Sequence, residues 1–357
     1  MRVKDHVLWH LDHDYTEPIR DPLWGHIYLT EGLVSIVDSI EFQQLSRIKQ
    51  LGPAHLVYPG ATHTRLAHSL GVYHIAYRMI RALLVSEETP AIDREMVSAY
   101  LCAALLHDLG HFPFTHSLKE LPLEEHEALA ATIVREGDLA RRIRDDLHTD
   151  PDLVARIIDE SLDDGGRPEV RLFRRLLSGS LDPDKLDYLN RDAYFCGVPY
   201  GTQDIDFALS RLRPNGEDGI ALDRSGISAV ENILFSKYLM YRAVYWHRNV
   251  RVSTAMIKVG LYRGLTDGLI DERDLYGLND ETFYAGFSTR PERPFELIRR
   301  VYDRQLYIPA ADLGFDETNP AHARLEDLPE RTAAEERLRR LVSRRVGRKV
   351  DPLDVII

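Results

Sequence analysis

The chain has 357 residues, 44% hydrophobic and 29% charged, a globular composition with room for a sizeable core and a second, smaller region. Its 57 acids against 45 lysines and arginines leave a net charge of −12, which disfavours general binding to nucleic acid or membrane surfaces while leaving a local basic patch free to hold an anion. No uncharged apolar run reaches the ~18 residues of a membrane span, MRVKDHVLWH lacks the apolar stretch of a secretory signal, and two cysteines, Cys102 and Cys196, form neither a CxxC nor a disulfide framework, so a reducing cytoplasm is the expected setting.

Helical periodicity dominates along the chain. HIYL at 26–29 is an early strand signal, and a helix is expected at 41–51. Over 64–86, Leu66, Leu70, Tyr73, Tyr77, Ile80 and Leu84 recur at spacings of four and three and make one apolar face. His68, Val72, Ile75 and Met79 form a second stripe. A helix apolar on two sides is buried, which puts His68 inside the protein. Further helices are predicted at 93–107, 124–136, 151–161, 169–178, 184–195, 203–212 and 225–264. GIAL at 219–222 follows an Asn215–Gly216 turn and has strand character. Beyond residue 265 turns, acids and prolines increase, ahead of a basic amphipathic helix, EERLRRLVSRRVGRK (335–349). That charge run reads better as a solvated or subunit-contacting face than as a nucleic-acid contact. The final LDVII has strand character. The fold class is mainly α with a few short strands: a core over 1–265 and a smaller helical or mixed region over 266–357, suited to oligomer contacts.

Eight of the fifteen histidines fall between positions 55 and 126, three of them in LLHDLGHFPFTH (105–116). Buried imidazoles need partners, so core packing rarely asks for that composition. His107 and Asp108 end a predicted helix, with Gly110 as a natural stop. A His-Asp dipeptide alone serves equally well as a structural pair. The third element is SLDPDKLDYLNRDAYF (180–195). Asp182 before Pro183 is an N-cap, and Asp184, Tyr188, Asp192 and Phe195 follow along one face with Lys185 at its edge. Complementing the helix dipole accounts for Asp184 but not for Asp192. His68, His107, Asp108 and Asp184 together offer two neutral nitrogens and two carboxylates. This set suits one divalent ion (Mn, Fe, Co, Ni, Zn or Mg) with positions open to water and substrate, and the lack of thiolate disfavours a structural zinc.

The order H…HD…D, with HDLGHFPFTH and DPDKLDYLNRD, resembles the HD-domain phosphohydrolases, in particular the branch of the dNTP triphosphohydrolases. DPLWGHIYL, EFQQLSRIKQLG, VYPGATHTRLAHSLGV, HEALA, DPDKLDYLNRDAYFCGV and YRAVYWHR fall in family order across roughly residues 20–260. The resemblance implies an HD-type helical bundle with His68, His107, Asp108 and Asp184 as metal ligands. It implies that Arg65, Lys185 and Lys237 hold phosphate oxygens and that His116 contacts phosphate. His111 and His126 would flank the reacting phosphorus, one orienting water and one acting as general acid, with Glu127 tuning His126. Gln50 and Leu51 would meet the 3′ side of the sugar, and Tyr188, Asp192 and Tyr245 would pack against or bond it. The implied reaction is attack of water on the α-phosphate of a deoxynucleoside triphosphate, releasing nucleoside and tripolyphosphate, in a homo-oligomer (dimer or tetramer).

The sequence departs from that pattern in three places. Leu66 and Ala67 precede His68 where relatives carry an acid, and Phe112 replaces a glycine. Asp38 and Gln43 match an activator-nucleotide segment, but Ser46 replaces its arginine. Two other readings stand beside the first. One is a hydrolase of ribonucleotide di- or triphosphates or of monophosphates; the other is a non-catalytic nucleotide or nucleic-acid binder using the 335–349 helix. His111, His126 and Lys185 argue against the last, because a sensor needs no proton donor. His63 and His74 read as core or surface residues.

Overall fold

The computed structural model describes residues 3–86, 89, 92–215 and 220–357. They form two compact units. The first runs to Pro113 and resumes at Glu124–His247; the second comprises Phe114–Leu123 and Arg248–Ile357. The boundary thus falls before the helix that opens at Arg248, where the sequence placed it after residue 265.

In the first unit, α1 (Val3–His13) leads into a hairpin of β1 (Glu17–Asp21) and β2 (Gly25–Leu29), with Ile19 opposite Ile27. The strand at 26–29 was expected; its partner β1 was not. Next come α2 (Glu31–Val37) and α3 (Ile40–Gln44), capped by Thr30 and Ser39. The predicted helix over 41–51 stops early. Ile48 is extended, and the Gln50 and Arg65 amides donate to His63 and Ile48 carbonyls at 3.0 and 2.9 Å. This short ladder lays Gln50 alongside His63, just ahead of α4 (Arg65–Val85).

Thr64 caps α4 through the Ala67 amide. Both stripes of this helix are inside: His68, Val72, Ile75 and Met79 on one side, Leu70, Tyr73, Ile80 and Leu84 on the other. It packs against α5 (Arg94–Leu106), whose residues from Met96 onward are all buried. After these come α6 (His126–Arg135), α7 (Gly137–Asp145), α8 (Pro151–Ile158), α9 (Pro168–Leu177) and α10 (Pro183–Cys196), and α10 also packs on α4. Helix α7 was not expected; it opens on Gly137, whose φ of +61° turns the chain away from α6.

The unit closes with α11 (Ile205–Ser210), the pair β3 (Leu212–Pro214) and β4 (Ile220–Leu222), and α12 (Ile227–Met240). The predicted strand at 219–222 appears as β4, while Gly219 and the Gly216 turn lie outside the described residues. The single helix predicted over 225–264 is broken. A π-turn at Tyr241–Tyr245 inserts an extra residue, with the Trp246 amide reaching Tyr241 O at 2.8 Å, and the chain restarts at Arg248.

The second unit contains α13 (Arg248–Thr266), α14 (Asp280–Phe287), α15 (Glu296–Tyr302), α16 (Pro320–Ala323) and α17 (Leu328–Val346). Phe283, Phe287, Phe295, Leu297, Ile298 and Leu261 are buried in it. Glu120 ties Lys258 at 2.7 Å and Arg331 together. The basic run 335–349 lies largely on α17, as expected. The terminal LDVII begins in a 3-10 turn at Pro352–Asp354 and pairs with no strand among the described residues, so the expected strand is corrected: Pro352 sets a turn there. Among the described residues no helix is long and apolar enough to cross a membrane.

Candidate metal centre

Three elements of the first unit deliver the site: the first turn of α4, the C-terminal end of α5, and the first turn of α10. Proline at the start of α10 and the Asp182 cap, which accepts from the Lys185 amide at 2.7 Å, fix where Asp184 emerges. His68 Nε2 stands 3.0 Å from Asp184 Oδ1, and His107 Nε2 stands 4.0 Å from that same oxygen. His107 Nε2 also lies 3.3 Å from Asp108 Oδ1, and His68 Nε2 lies 4.0 Å from Asp108 Oδ2. The structure therefore brings together all four residues that sequence singled out for a cation. Donor atoms of His68, His107 and Asp184 lie within 4.8 Å of one another.

The far side of each imidazole explains why this cluster fits a cation. His107 Nδ1 donates to the Ala104 carbonyl at 2.9 Å, and His68 Nδ1 donates to Asp187 Oδ2 at 2.9 Å. Both rings are thereby set to present Nε2 inward. His107 Nε2 is buried and has no hydrogen-bond partner among the described residues. An unpartnered His107 Nε2 set beside oxygens of Asp184 and Asp108 leaves a place for positive charge. Burial alone would strip a proton from His68, but hydrogen bonds to Asp184 and Asp187 outweigh it and raise its pKa to about 10. Burial works against ionisation of Asp108 as well, yet the charges of His111, Arg65, His107 and His68 hold it well below the usual carboxylate range. His68 keeps a proton at the position where a divalent ion would instead bind, so metal and proton compete for Nε2.

A carboxylate that sequence reading passed over holds the arrangement. Asp187 is fully buried and uses both oxygens. Oδ1 accepts from Trp24 Nε1 at 2.5 Å and Arg191 Nη2 at 2.9 Å; Oδ2 accepts from Arg191 Nε at 2.8 Å and from His68. Arg191 continues to Asp21 at 2.8 Å, and Asp21 in turn accepts the Leu23 and Trp24 amides. Burial opposes the charge on Asp187, but Arg191 brings its pKa down to about 2. A Cβ on Gly71 would sit 1.8 Å from Asp187 Oδ1, so glycine is what lets α4 come this close to α10. The available signal was the i, i+4 Asp187–Arg191 pair inside DPDKLDYLNRD.

Beside Asp108 stand two more imidazoles. His111 Nδ1 is 3.4 Å from Asp108 Oδ1, and the rings of His111 and His126 meet edge to face with centroids 4.0 Å apart. Glu127 Oε2 lies 3.0 Å from His126 Nδ1. Gly110 makes this possible, because a Cβ there would lie 1.9 Å from the His126 carbonyl and 2.8 Å from the Ala130 amide. Gly110→Ala should therefore push α6 away and cost about 2–3 kcal/mol, the upper range for overpacking, since backbone cannot yield as a side chain does. Urea denaturation of the variant checks this.

The residues expected to meet substrate are placed unevenly. Arg65 is buried and donates Nη1 to Asp108 Oδ2 at 2.7 Å, leaving its Nε buried without a partner among the described residues. Lys185 Nζ is bound to Asp182 and to Gly179 O, the latter at 3.0 Å. Asp192 accepts from Tyr245 Oη at 2.6 Å and from His63 Nε2 at 2.8 Å, so both of its oxygens are engaged within the protein. His63, which reads from sequence as core or surface, is the buried orienter of that carboxylate. Tyr188 stacks edge-on to Tyr245 at 6.3 Å, and Lys237 sits over the Tyr241 ring at 5.9 Å. Gln50 Oε1 is buried with no partner among the described residues, next to a half-buried Leu51. His116 is exposed and lies in the second unit, on the 3-10 turn Thr115–Leu118 whose Thr115 and Leu118 are buried.

A helical bundle that sets two histidines and two aspartates from three helix ends in this order defines an HD domain. A family model described as HD domain matches residues 65–191, and one described as HD associated region matches 211–357. A hypothetical protein from Aquifex aeolicus of known crystal structure superposes with a TM-score of 0.70 at 32% identity, covering 87% of this chain and 82% of that one. An uncharacterized protein of Bacillus subtilis is 36% identical over 68% of this chain and 55% of its own length. The deoxynucleoside triphosphate triphosphohydrolase SAMHD1 of Homo sapiens is 32% identical over 82% of this chain and 55% of its own length. The chain belongs to the HD-domain phosphohydrolase family. It spans 55–61% of the length of the first curated relatives it matches.

Proposed function

We propose that the chain hydrolyses deoxynucleoside triphosphates to nucleoside and tripolyphosphate, with water attacking the α-phosphate. One divalent cation would be held by His68, His107, Asp108 and Asp184. The observation that carries the reading is the pair of inward-facing Nε2 atoms converging with Asp184 beside the stacked His111 and His126. A cation there supplies Lewis-acid polarisation of the phosphoryl oxygen and of the attacking water. Arg65 and Lys185 offset the charge of the triphosphate as it leaves water, trading contacts with Asp108 and Asp182 for phosphate oxygens. As general acid His126 would carry protons on both nitrogens, with the Glu127 carboxylate 3.0 Å from Nδ1 supporting that cation while the Nε2 proton passes to the departing 5′ oxygen. His111, against Asp108, orients the water. The sugar falls to Gln50, Leu51, Tyr188 and Tyr245, with Asp192 fixing the tyrosine hydroxyl. Likeness to SAMHD1 supports the triphosphate over other nucleotides, and the homo-oligomer and the cytoplasmic setting belong to the same proposal.

The test is incubation of manganese-loaded protein with each dNTP and NTP, with products separated by ion-pairing chromatography. Nucleoside with tripolyphosphate is expected. Orthophosphate or diphosphate as product would move the assignment to another nucleotide hydrolase, and no turnover with any divalent metal would overturn it. His126→Ala should keep its metal while kcat falls roughly 10²-fold or more, the scale of a general-acid contribution. Metal analysis and steady-state kinetics on one preparation check both halves.

A further inference from the structure

We infer that the outward face of α17 is a docking surface for an anionic phospholipid bilayer, on which the chain lies peripherally. The fold uses one side of this helix. Leu328 and Glu335 are buried, Arg331 is tied to Glu120, and Arg339 is tied to Glu336 and to the Val350 carbonyl at 3.0 Å. Arg337, Leu338, Leu341, Arg344 and Arg345 recur at intervals of one, three, three and one, and so lie together on the other side. Arg348 follows the left-handed Gly347 at which the helix ends. All six are exposed, Leu338 by 42% and Leu341 by 60%.

Charge complementarity names an anion as the occupant. Arg337, Arg344, Arg345 and Arg348 make no ion pair among the described residues, whereas Arg339 and Arg340 share Glu336. From Arg337 to Arg345 the axis rises only about 12 Å, and Arg344 stands four residues from Arg340, the spacing at which like charges destabilise a helix. A plane of lipid phosphates relieves that repulsion. The whole chain carries a net charge of −12, so the attraction is confined to this patch. The leucines select among anions. Leu341 lies between Arg344 and Arg345 on the arc, and in a bilayer the arginine stems follow the apolar boundary with their guanidinium groups at phosphate level while leucine enters the acyl edge. A nucleic acid has no such layer for Leu341, and α17 brings no aromatic residue to stack on bases and no Asn or Gln to read them. This inference does not depend on the chemistry proposed above.

The test is co-sedimentation of the full chain with sucrose-loaded vesicles of phosphatidylcholine, with and without phosphatidylglycerol. Binding is expected only where phosphatidylglycerol is present, and it should fall as salt is raised. Arg344→Gln combined with Arg345→Gln should weaken it about 25-fold, about fivefold for each arginine at about 1 kcal/mol apiece. The melting temperature should not change, because neither side chain has an ion-pair partner in the fold. Leu341→Gln should weaken binding severalfold with the same salt dependence, since no charge is lost. Sedimentation with neither vesicle, or equally with both, overturns the inference. So does binding indifferent to the paired arginine substitutions or to Leu341→Gln. Tighter binding to a DNA duplex than to the anionic vesicles at the same salt also overturns it and assigns the face to nucleic acid.

Discussion

Asp187→Ala is expected to lose about 3–5 kcal/mol of folding stability and at the same time 10–100-fold in metal affinity. The stability loss follows from what stays behind: Arg191, fully buried, would keep Asp21 alone as counter-charge, and Trp24 Nε1 would lose its acceptor. The affinity loss follows from His68, whose Nδ1 proton would have no acceptor to fix the ring with Nε2 inward. The two effects separate in the double variant Asp187→Leu with Arg191→Met. Replacing a buried ion pair by apolar residues of similar volume is often close to neutral, so much of the stability should return. Metal affinity should not, because His68 is still unsupported. Urea denaturation and isothermal titration with manganese read the two quantities independently. If both recover together, Asp187 acts through packing alone. The pH dependence has a definite sign. Asp187 is depressed to about 2 from an ordinary value near 4, so its contribution is complete above roughly pH 4 and is lost as pH falls toward 2. Acid unfolding of the parent chain should therefore be steeper in that window than that of the double variant.

How far sequence alone reached follows from which signals are local. The helical class, the double burial of α4 and the grouping of His68, His107, Asp108 and Asp184 were legible, because periodicity and an H…HD…D order survive without coordinates. His68 illustrates this: its place in a second apolar stripe already put it inside the protein. What sequence could not supply was direction. Asp187 and Asp184 are one turn apart on α10, and only the packing of α4 decides that one faces a proton-bearing Nδ1 and the other an Nε2. His63 was invisible for the same reason, since its partner Asp192 lies 129 residues away. The break in the predicted 225–264 helix came from a π-turn whose aromatic residues keep helical periodicity while the backbone slips by one. Helix α7 was missed because its buried face is only Leu139, Ala140 and Ile143, too short a run for periodicity to register between charged neighbours.

His107→Ala is expected to abolish both metal binding and turnover while leaving the metal-free fold nearly intact. The ring lies at the end of α5 with 15% of its side chain exposed, held by a hydrogen bond to Ala104 O and an edge-on contact with the His68 ring, so truncation should change metal-free stability by about 1 kcal/mol. Its Nε2, by contrast, is buried and has no hydrogen-bond partner among the described residues. Removing it takes away a nitrogen that cannot be recruited from elsewhere, because His111 faces Asp108 and pairs with His126. Loss of a ligand should exceed the 10–100-fold cost of losing a residue that merely supports one. A ligand that binds only the folded state raises its stability by RT ln(1 + [L]/Kd), about 4 kcal/mol at a thousandfold excess over Kd. The parent chain should therefore melt at a higher temperature when manganese is added, and His107→Ala should melt at one temperature with or without it. Asp187→Ala should instead melt lower under both conditions and still respond to the metal. A His107→Ala protein that keeps its metal-dependent rise in melting temperature would move the cation away from the α4, α5 and α10 ends.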